Sequence, residues 1–231
     1  MSKTYINWSG GKDASFALYH FLNENPGGIG KILTTISEEQ QRITMHGVRK
    51  ELLEMQADAL NIPLKMVQLP PSEDMDSYNR VMAEAMHELK AEGFEQAIFG
   101  DIFLENLKAY RDEKLEASGI KGIYPLWKKD THALLKEFIA LGFKAITVCV
   151  NDRLLGEEFI GRIIDQEFLD ALPEGVDPCG ENGEFHTFVY DGPIFEKPLP
   201  IKIGEKKKFT YPKKEGDNWD HTYWFCDLEK A

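Results

Sequence analysis

Tyr5-Ile6-Asn7-Trp8-Ser9-Gly10-Gly11-Lys12-Asp13-Ala14-Ser15-Phe16-Ala17-Leu18 decides how this chain is read. The short apolar run predicts a strand. Two glycines with polar neighbours predict a tight turn, and the amphipathic run behind them predicts a helix. A strand–turn–helix element of this kind points backbone N–H groups and the positive end of a helix at an anion. Gly10 and Gly11 let the backbone turn sharply and come close to a phosphate. Ser9 and Ser15 supply hydroxyls, and Lys12 supplies a cation. Asp13 sits too close to a bound phosphate to act as a simple anion binder, so a Mg²⁺ bridge is its expected role. The common GxxxxGK[ST] loop is absent: the other Gly-Lys pair, Gly30-Lys31, is followed by Ile32 and lacks the spaced glycine. An ordinary turn with Ser and Asp capping a helix would leave the six-residue pattern and its strand–helix context unexplained.

Ser9–Asp13 resembles the SGGxD[S] loop of the N-type ATP pyrophosphatases, in the HUP-like group of α/β folds. The resemblance implies cleavage of ATP between its α and β phosphates, leaving AMP and pyrophosphate. The chain departs from the pattern at one position, where Ala14 stands in place of the usual serine. Ser15 follows at once but points about 100° further round a helix.

The remaining composition narrows the class. A chain of 231 residues with 42% hydrophobic and 29% charged content fits one large or two small soluble domains with an adequate core. Its 27 basic and 39 acidic residues give a formal charge of −12, which argues against a duplex-nucleic-acid binder. The basic run Lys206-Lys207-Lys208 with Lys213-Lys214 reads as a solvated strand end and turn rather than a binding patch. Cys149, Cys179 and Cys226 are far apart, with no CxxC pair, so neither a zinc knuckle nor iron–sulfur-assisted sulfur transfer is indicated. No apolar stretch approaches the roughly 20 residues that span a membrane, and the first strand begins almost at once, so a cytoplasmic enzyme is the default expectation.

Along the chain, strand and helix alternate through the first half. Strands are predicted at 5–8, 31–36, 64–69 and 97–99, with helices at 13–23, 48–60, 75–92 and 104–117. A last strand of this part is placed at 122–126. This alternation predicts a parallel sheet with helices on both faces. Ligands of such sheets bind at the carboxyl ends of the strands, where Ser9–Asp13 and Gly100-Asp101 both fall. Near Trp127 the pattern changes: helix 131–141, strand 145–150, helix 159–172, then short strands at 184–190, 199–203, 207–211 and 222–226. The expected architecture is a HUP-like doubly wound parallel sheet over residues 1–128, with a smaller C-terminal α+β domain over 129–231. The aromatic stretch Gly216–Ala231 is expected to be a closing strand or a contact in a homodimer.

A second block, Asp177-Pro178-Cys179-Gly180-Glu181-Asn182-Gly183-Glu184-Phe185-His186-Thr187, carries two carboxylates three residues apart, flanked by glycines, just before a strand. Such a loop contributes little to a core. It is similar to the GENGEFHT signature of the diphthine–ammonia ligase family of N-type ATP pyrophosphatases. Met45-His46-Gly47-Val48-Arg49 running to Gln56-Ala57, Phe99-Gly100-Asp101-Ile102 with Leu107 to Arg111, and Gly122 to Trp127 add to the resemblance. Together these stretches reach from Tyr5 to about Pro193.

The resemblance implies ATP-driven amide formation: AMP is transferred to a carboxylate, pyrophosphate leaves, and ammonia attacks the acyl-adenylate. Gly10, Gly11 and Lys12 would neutralise the leaving pyrophosphate, and Asp13 with Asp101 would hold Mg²⁺. Glu181 or Glu184 would bind ammonium and take its proton, or position a second metal. His46, Glu105, Arg111, Asn182 and His186 are candidate substrate residues, and Ile36 marks the usual HUP place for the adenine. The carboxylate is the diphthine of elongation factor 2 only where that modification exists. Elsewhere it would be a small acid or a cofactor precursor such as a corrinoid. The rival readings are a tRNA-modifying pyrophosphatase, disfavoured by the missing CxxC and the acidic charge, and a non-catalytic adenine-nucleotide sensor, which leaves the Glu181–Glu184 block without purpose.

Overall fold

The computed structural model describes residues 3–43, 46–71, 75–212 and 221–231. Five strands, β1 (Lys3–Asn7), β2 (Ile29–Ser37), β3 (Leu64–Leu69), β4 (Phe94–Ile98) and β5 (Lys121–Ile123), form a parallel sheet in the order β3-β2-β1-β4-β5. The strand order reverses between β1 and β4, so the crevice above these two strands is the place where an open α/β sheet receives a ligand.

The alternation of side chains along each strand divides the sheet into two faces. Ile6 and Ile32 point into a core shared with α1 (Lys12–Glu24) and α2 (Lys50–Leu60). Tyr5 and Leu33, one residue away, point into a second core with Met86 and Leu89 of α3 (Met75–Ala91) and Leu115 of α4 (Glu105–Ala117). Leu52, Leu53, Gln56 and Ala59 of α2 are buried at helical spacing, as the periodicity requires.

The second half builds a four-stranded antiparallel sheet in the order β7-β6-β9-β8, from β6 (Lys144–Asn151), β7 (Phe185–Asp191), β8 (Ile201–Tyr211) and β9 (His221–Lys230). It packs with α5 (Thr131–Ala140), whose first turn is capped by the Asp130 carboxylate on the Ala133 N–H. Its core is continuous with the α1–α2 side of the first sheet: Phe16 lies edge-on to Phe138 with centroids 5.8 Å apart.

Two expectations for this half are corrected. Residues 159–172 are not one helix. A 3-10 turn at Glu157–Phe159 is followed by extended backbone at Ile163, bridged to Ile146, and only Gln166–Ala171 (α6) is helical. Thr147 draws the segment out: its N–H donates to the Arg162 carbonyl at 3.0 Å, and its Oγ1 accepts the Arg162 N–H at 3.0 Å. The strands expected at 199–203 and 207–211 are one strand, β8, with an irregularity between Ile203 and Lys206. The aromatic C-terminal stretch is a strand paired on both sides, by β6 and β8, from His221 onward; its residues 216–220, like Lys213 and Lys214, lie outside the described residues.

Candidate functional site

Gly10 opens the glycine loop at the carboxyl end of β1 with φ +78°, a conformation that favours glycine. The Gln56 Nε2 donates to the Gly10 carbonyl at 3.0 Å and to the Val189 carbonyl at 2.7 Å, while the Trp8 indole N–H donates to Gln56 Oε1 at 2.8 Å. The Val189 N–H in turn donates to the Gly10 carbonyl at 2.9 Å. Strand β7 of the second sheet thus lies directly on the loop. Thr187 Oγ1 accepts the Lys12 N–H at 3.0 Å and Ser9 Oγ accepts the Gly11 N–H at 3.3 Å, so two of the loop's donors are satisfied within the protein.

Lys12 is almost fully buried, and its ammonium donates to both Asp13 oxygens, at 2.7 and 2.9 Å, and to the Cys179 carbonyl. Burial favours its neutral form, but Asp13 and the other acidic groups nearby outweigh that and hold its pKa above the ordinary lysine value. Asp13 moves upward because burial outweighs the Lys12 charge.

Gly100 sits at the end of β4. A Cβ there would lie 2.7 Å from the Asp13 carbonyl carbon, so only glycine lets α1 and β4 approach this closely. The approach brings Asp101 beside Asp13. Asp101 is buried, and Arg111 Nε lies 3.2 Å from its Oδ1, with the guanidinium 4.6 Å from the Phe99 ring centre. Its Oδ2 is buried without a hydrogen-bond partner. Burial raises the Asp101 pKa, Arg111 opposes the rise and Asp13 adds to it. A buried carboxylate with an unpartnered oxygen, Asp101, beside a partly exposed one, Asp13, fits a hard divalent cation. Among the described residues no group of three or more His, Cys, Asp or Glu could hold a metal. Mg²⁺ needs only one or two carboxylates when phosphate oxygens complete its shell, so the pair fits an ion that arrives with a nucleotide.

The second domain supplies Glu181. Its Oε1 accepts the Ile102 N–H at 2.8 Å, and burial pushes its pKa up to about 7, with Asp13 and Asp101 adding to the rise. His186 of β7 stacks on His46 with ring centres 4.4 Å apart. Burial lowers both, His186 to about 4, and Lys12 adds to the effect on each. Ser9, Lys12, Asp13, Asp101, Glu181 and the two histidines line one cavity of about 580 Å³. The cavity continues between α3 and α4, past Met82, Met86, Tyr110 and Arg111.

Five other expected residues stand elsewhere. The Ser15 hydroxyl donates to the Gly11 carbonyl at 2.9 Å inside the helix and is fully buried, outside the cavity wall. Ile36 points into the core, and Leu33, Thr34 and Thr35 form the β2 side of the cavity in its place. Glu105 is exposed and pairs with Lys128 at 2.7 Å. Glu184 is buried behind the loop, where its Oε1 accepts the Asp177 N–H at 3.0 Å and the Asn182 amide at 3.1 Å. Glu184 and Asn182 therefore brace the loop that presents Glu181; Asp177 adds to this by accepting the Glu181 N–H at 2.9 Å. Sequence reasoning passed over Thr187 and Gln56 as site residues. Gln56 had a signal, a polar residue on the apolar stripe of α2; Thr187 had none beyond its place in the quoted block.

Comparison with known proteins matches both halves of the chain. The model of the diphthamide synthase N-terminal domain matches residues 2–122, and that of the diphthamide synthase C-terminal domain matches residues 130–231. A diphthine–ammonia ligase of Danio rerio is 38% identical over 88 residues, 35% of this chain and 33% of the relative. One of Saccharomyces cerevisiae is 25% identical over 224 residues, 81% of this chain and 33% of the relative. One of Rattus norvegicus is 23% identical over 184 residues, 73% of this chain and 69% of the relative. The match spans about a third of the length of the zebrafish and yeast proteins. With both of its halves matched in order, the chain belongs to the diphthamide synthase family.

Proposed function

We propose that this protein is an ATP-dependent, AMP- and pyrophosphate-forming ligase that amidates a carboxylate with ammonia. The supporting observation is convergence: Lys12 and Asp13 from the glycine loop, Asp101 from the end of β4 and Glu181 from the second domain line one cleft. In this reading residues 1–128 handle the nucleotide, and residues 129–231 add Glu181, which handles the ammonium.

Each residue has a physical task. Lys12 turns from Asp13 toward the β- and γ-phosphates and stabilises the charge on departing pyrophosphate. Asp13 and Asp101 would hold Mg²⁺, which supplies charge neutralisation to the triphosphate as the carboxylate approaches. Arg111, stacked on Phe99 at the cavity wall, suits a carboxylate or phosphate oxygen. Glu181, poised near neutrality, takes a proton from ammonium to free the nucleophile. The carboxylate is diphthine on elongation factor 2 where that modification is made, and a small acid elsewhere. Among the described residues no helix is long and apolar enough to cross a membrane.

The test supplies ¹⁵N-ammonium chloride, ATP and Mg²⁺ with a small-molecule extract, or with diphthine-bearing elongation factor 2. A ¹⁵N amide formed in step with AMP is expected. ADP and phosphate as products, with no label incorporated, would contradict the reading.

A further inference from the structure

Amide formation from ammonium releases two protons, one before attack and one from the adduct afterwards. The reaction proposed above, on which this inference rests, therefore needs two acceptors, and Glu181 is only one. We propose that His46 is the second, its Nδ1 taking the proton that the attacking nitrogen sheds, with His186 stacked behind it as a positioning residue.

Three observations carry this. The Nδ1 of the His46 ring is buried without a hydrogen-bond partner, and the Thr187 backbone favours a hydrogen on the ring. We assign the hydrogen to Nε2, which leaves Nδ1 a lone pair that no protein donor uses. An unsatisfied buried acceptor costs about 1–3 kcal/mol, and here that cost falls on a residue lining the cleft. Second, the ring packs on the catalytic loop itself: a Cβ on Gly11 would lie 3.3 Å from His46 Cε1. Third, His46 comes from the first domain and His186 from β7, so the stacked pair forms only where the two domains meet the cleft. Both rings are neutral near neutral pH, the state a proton acceptor requires. A bound triphosphate would offset the Lys12 charge that helps to depress them, so their basicity rises when the nucleotide is present.

The step balances. Ammonia forms a bond to the carbonyl carbon of the acyl-adenylate, and the carbonyl π pair moves to oxygen. The adduct nitrogen, now positively charged, gives one proton to His46 Nδ1. The carbonyl re-forms, and the carbon–oxygen bond to AMP breaks with its electron pair on the phosphate. The products are the amide, AMP and an imidazolium that returns its proton to water.

Hydroxylamine separates this role from a structural one. It is a far weaker base than ammonia, so it is unprotonated near neutral pH and its adduct loses a proton to water unaided. The measurement is AMP formation driven by ammonium chloride against that driven by hydroxylamine, each with ATP, Mg²⁺ and the same extract. In His46→Gln the ammonium-to-hydroxylamine ratio should fall by about a hundredfold, the span of general-base effects. His46→Asn should give the same fall, and His186→Phe, which keeps the stack, a much smaller one. A ratio equal to wild type in both His46 variants overturns the proposal, whether the separate rates hold or drop together. Wild-type protein that forms no AMP with either nucleophile removes the ligase reading itself, and the proposal with it.

Discussion

At the scale of single residues, charge and burial decide which groups can act. Glu181 illustrates this: the burial that, with Asp13 and Asp101, raises its pKa to about 7 also makes it a usable base near neutrality. Glu181→Gln should therefore abolish the acid limb of the pH–rate profile near that value and slow amide formation by about a hundredfold. The same shift has a cost in stability. Between its ordinary value and about 7 the folded state holds a proton that the unfolded chain has lost, so the Glu181 contribution falls as pH rises through that window. Above it, Glu181→Gln should stabilise the protein by on the order of 1 kcal/mol, allowing for the partial exposure of the group; thermal unfolding in neutral and mildly acidic buffer checks the sign. Legibility at this scale was uneven. That Lys12, Asp13 and Asp101 stand in one cleft could be read because glycines at strand ends fix where their backbone goes. Ser15, Glu105, Asn182 and Glu184 could not, because a side chain's direction depends on neighbours distant in sequence, as the Glu184 carboxylate bound to the Asp177 N–H shows.

At the scale of elements, the fit of α1 against β4 matters most. Gly100→Ala would drive a methyl group to within 2.7 Å of the Asp13 carbonyl carbon. Separating helix from strand should misplace Asp13 relative to Asp101, weaken binding of ATP with Mg²⁺ by tenfold or more, and cost about 1–3 kcal/mol of stability as overpacking does. Calorimetric titration and thermal unfolding together test this; unchanged affinity would mean that the close approach is not needed. The helices and strands of the first half follow from apolar periodicity within a residue or three, since each buries one face on a regular sheet. The error at 159–172 has a different origin. Apolar spacing there matches a helix, but Thr147 on β6 draws Arg162 into extended pairing, a tertiary contact that local pattern does not contain.

At the scale of the whole molecule, the site exists only while the two sheets stay together. Beyond the shared apolar core, Asp227 of β9 receives Arg42 Nη1 at 2.8 Å and Arg49 Nε at 3.0 Å, both from the first domain. Burial alone would raise the Asp227 pKa, but the two guanidinium groups together hold it well below the usual carboxylate range. A depressed carboxylate contributes stability that is fully present above its unfolded value and lost as pH falls toward the folded one. Asp227→Asn should lower stability near neutral pH by about 1 kcal/mol, roughly 2–4 °C for a chain of this size. The gap from wild type should narrow in acid. The doubly wound sheet and the presence of a second domain were visible in the sequence. That β7 would lie on the glycine loop, with Thr187 capping the Lys12 N–H, was not, because the pairing spans 175 residues of chain.

The central claim, that this cleft adenylates a carboxylate, is tested most directly by phosphorus NMR. ATP and Mg²⁺ are followed with ammonium and a small-molecule extract, or diphthine-bearing elongation factor 2, beside the Asp13→Asn variant. AMP and pyrophosphate that accumulate only with the added substrate, and fall by a hundredfold or more in the variant, are the result expected. ATP that remains intact with every substrate offered, or breaks down to ADP and phosphate, would contradict the account.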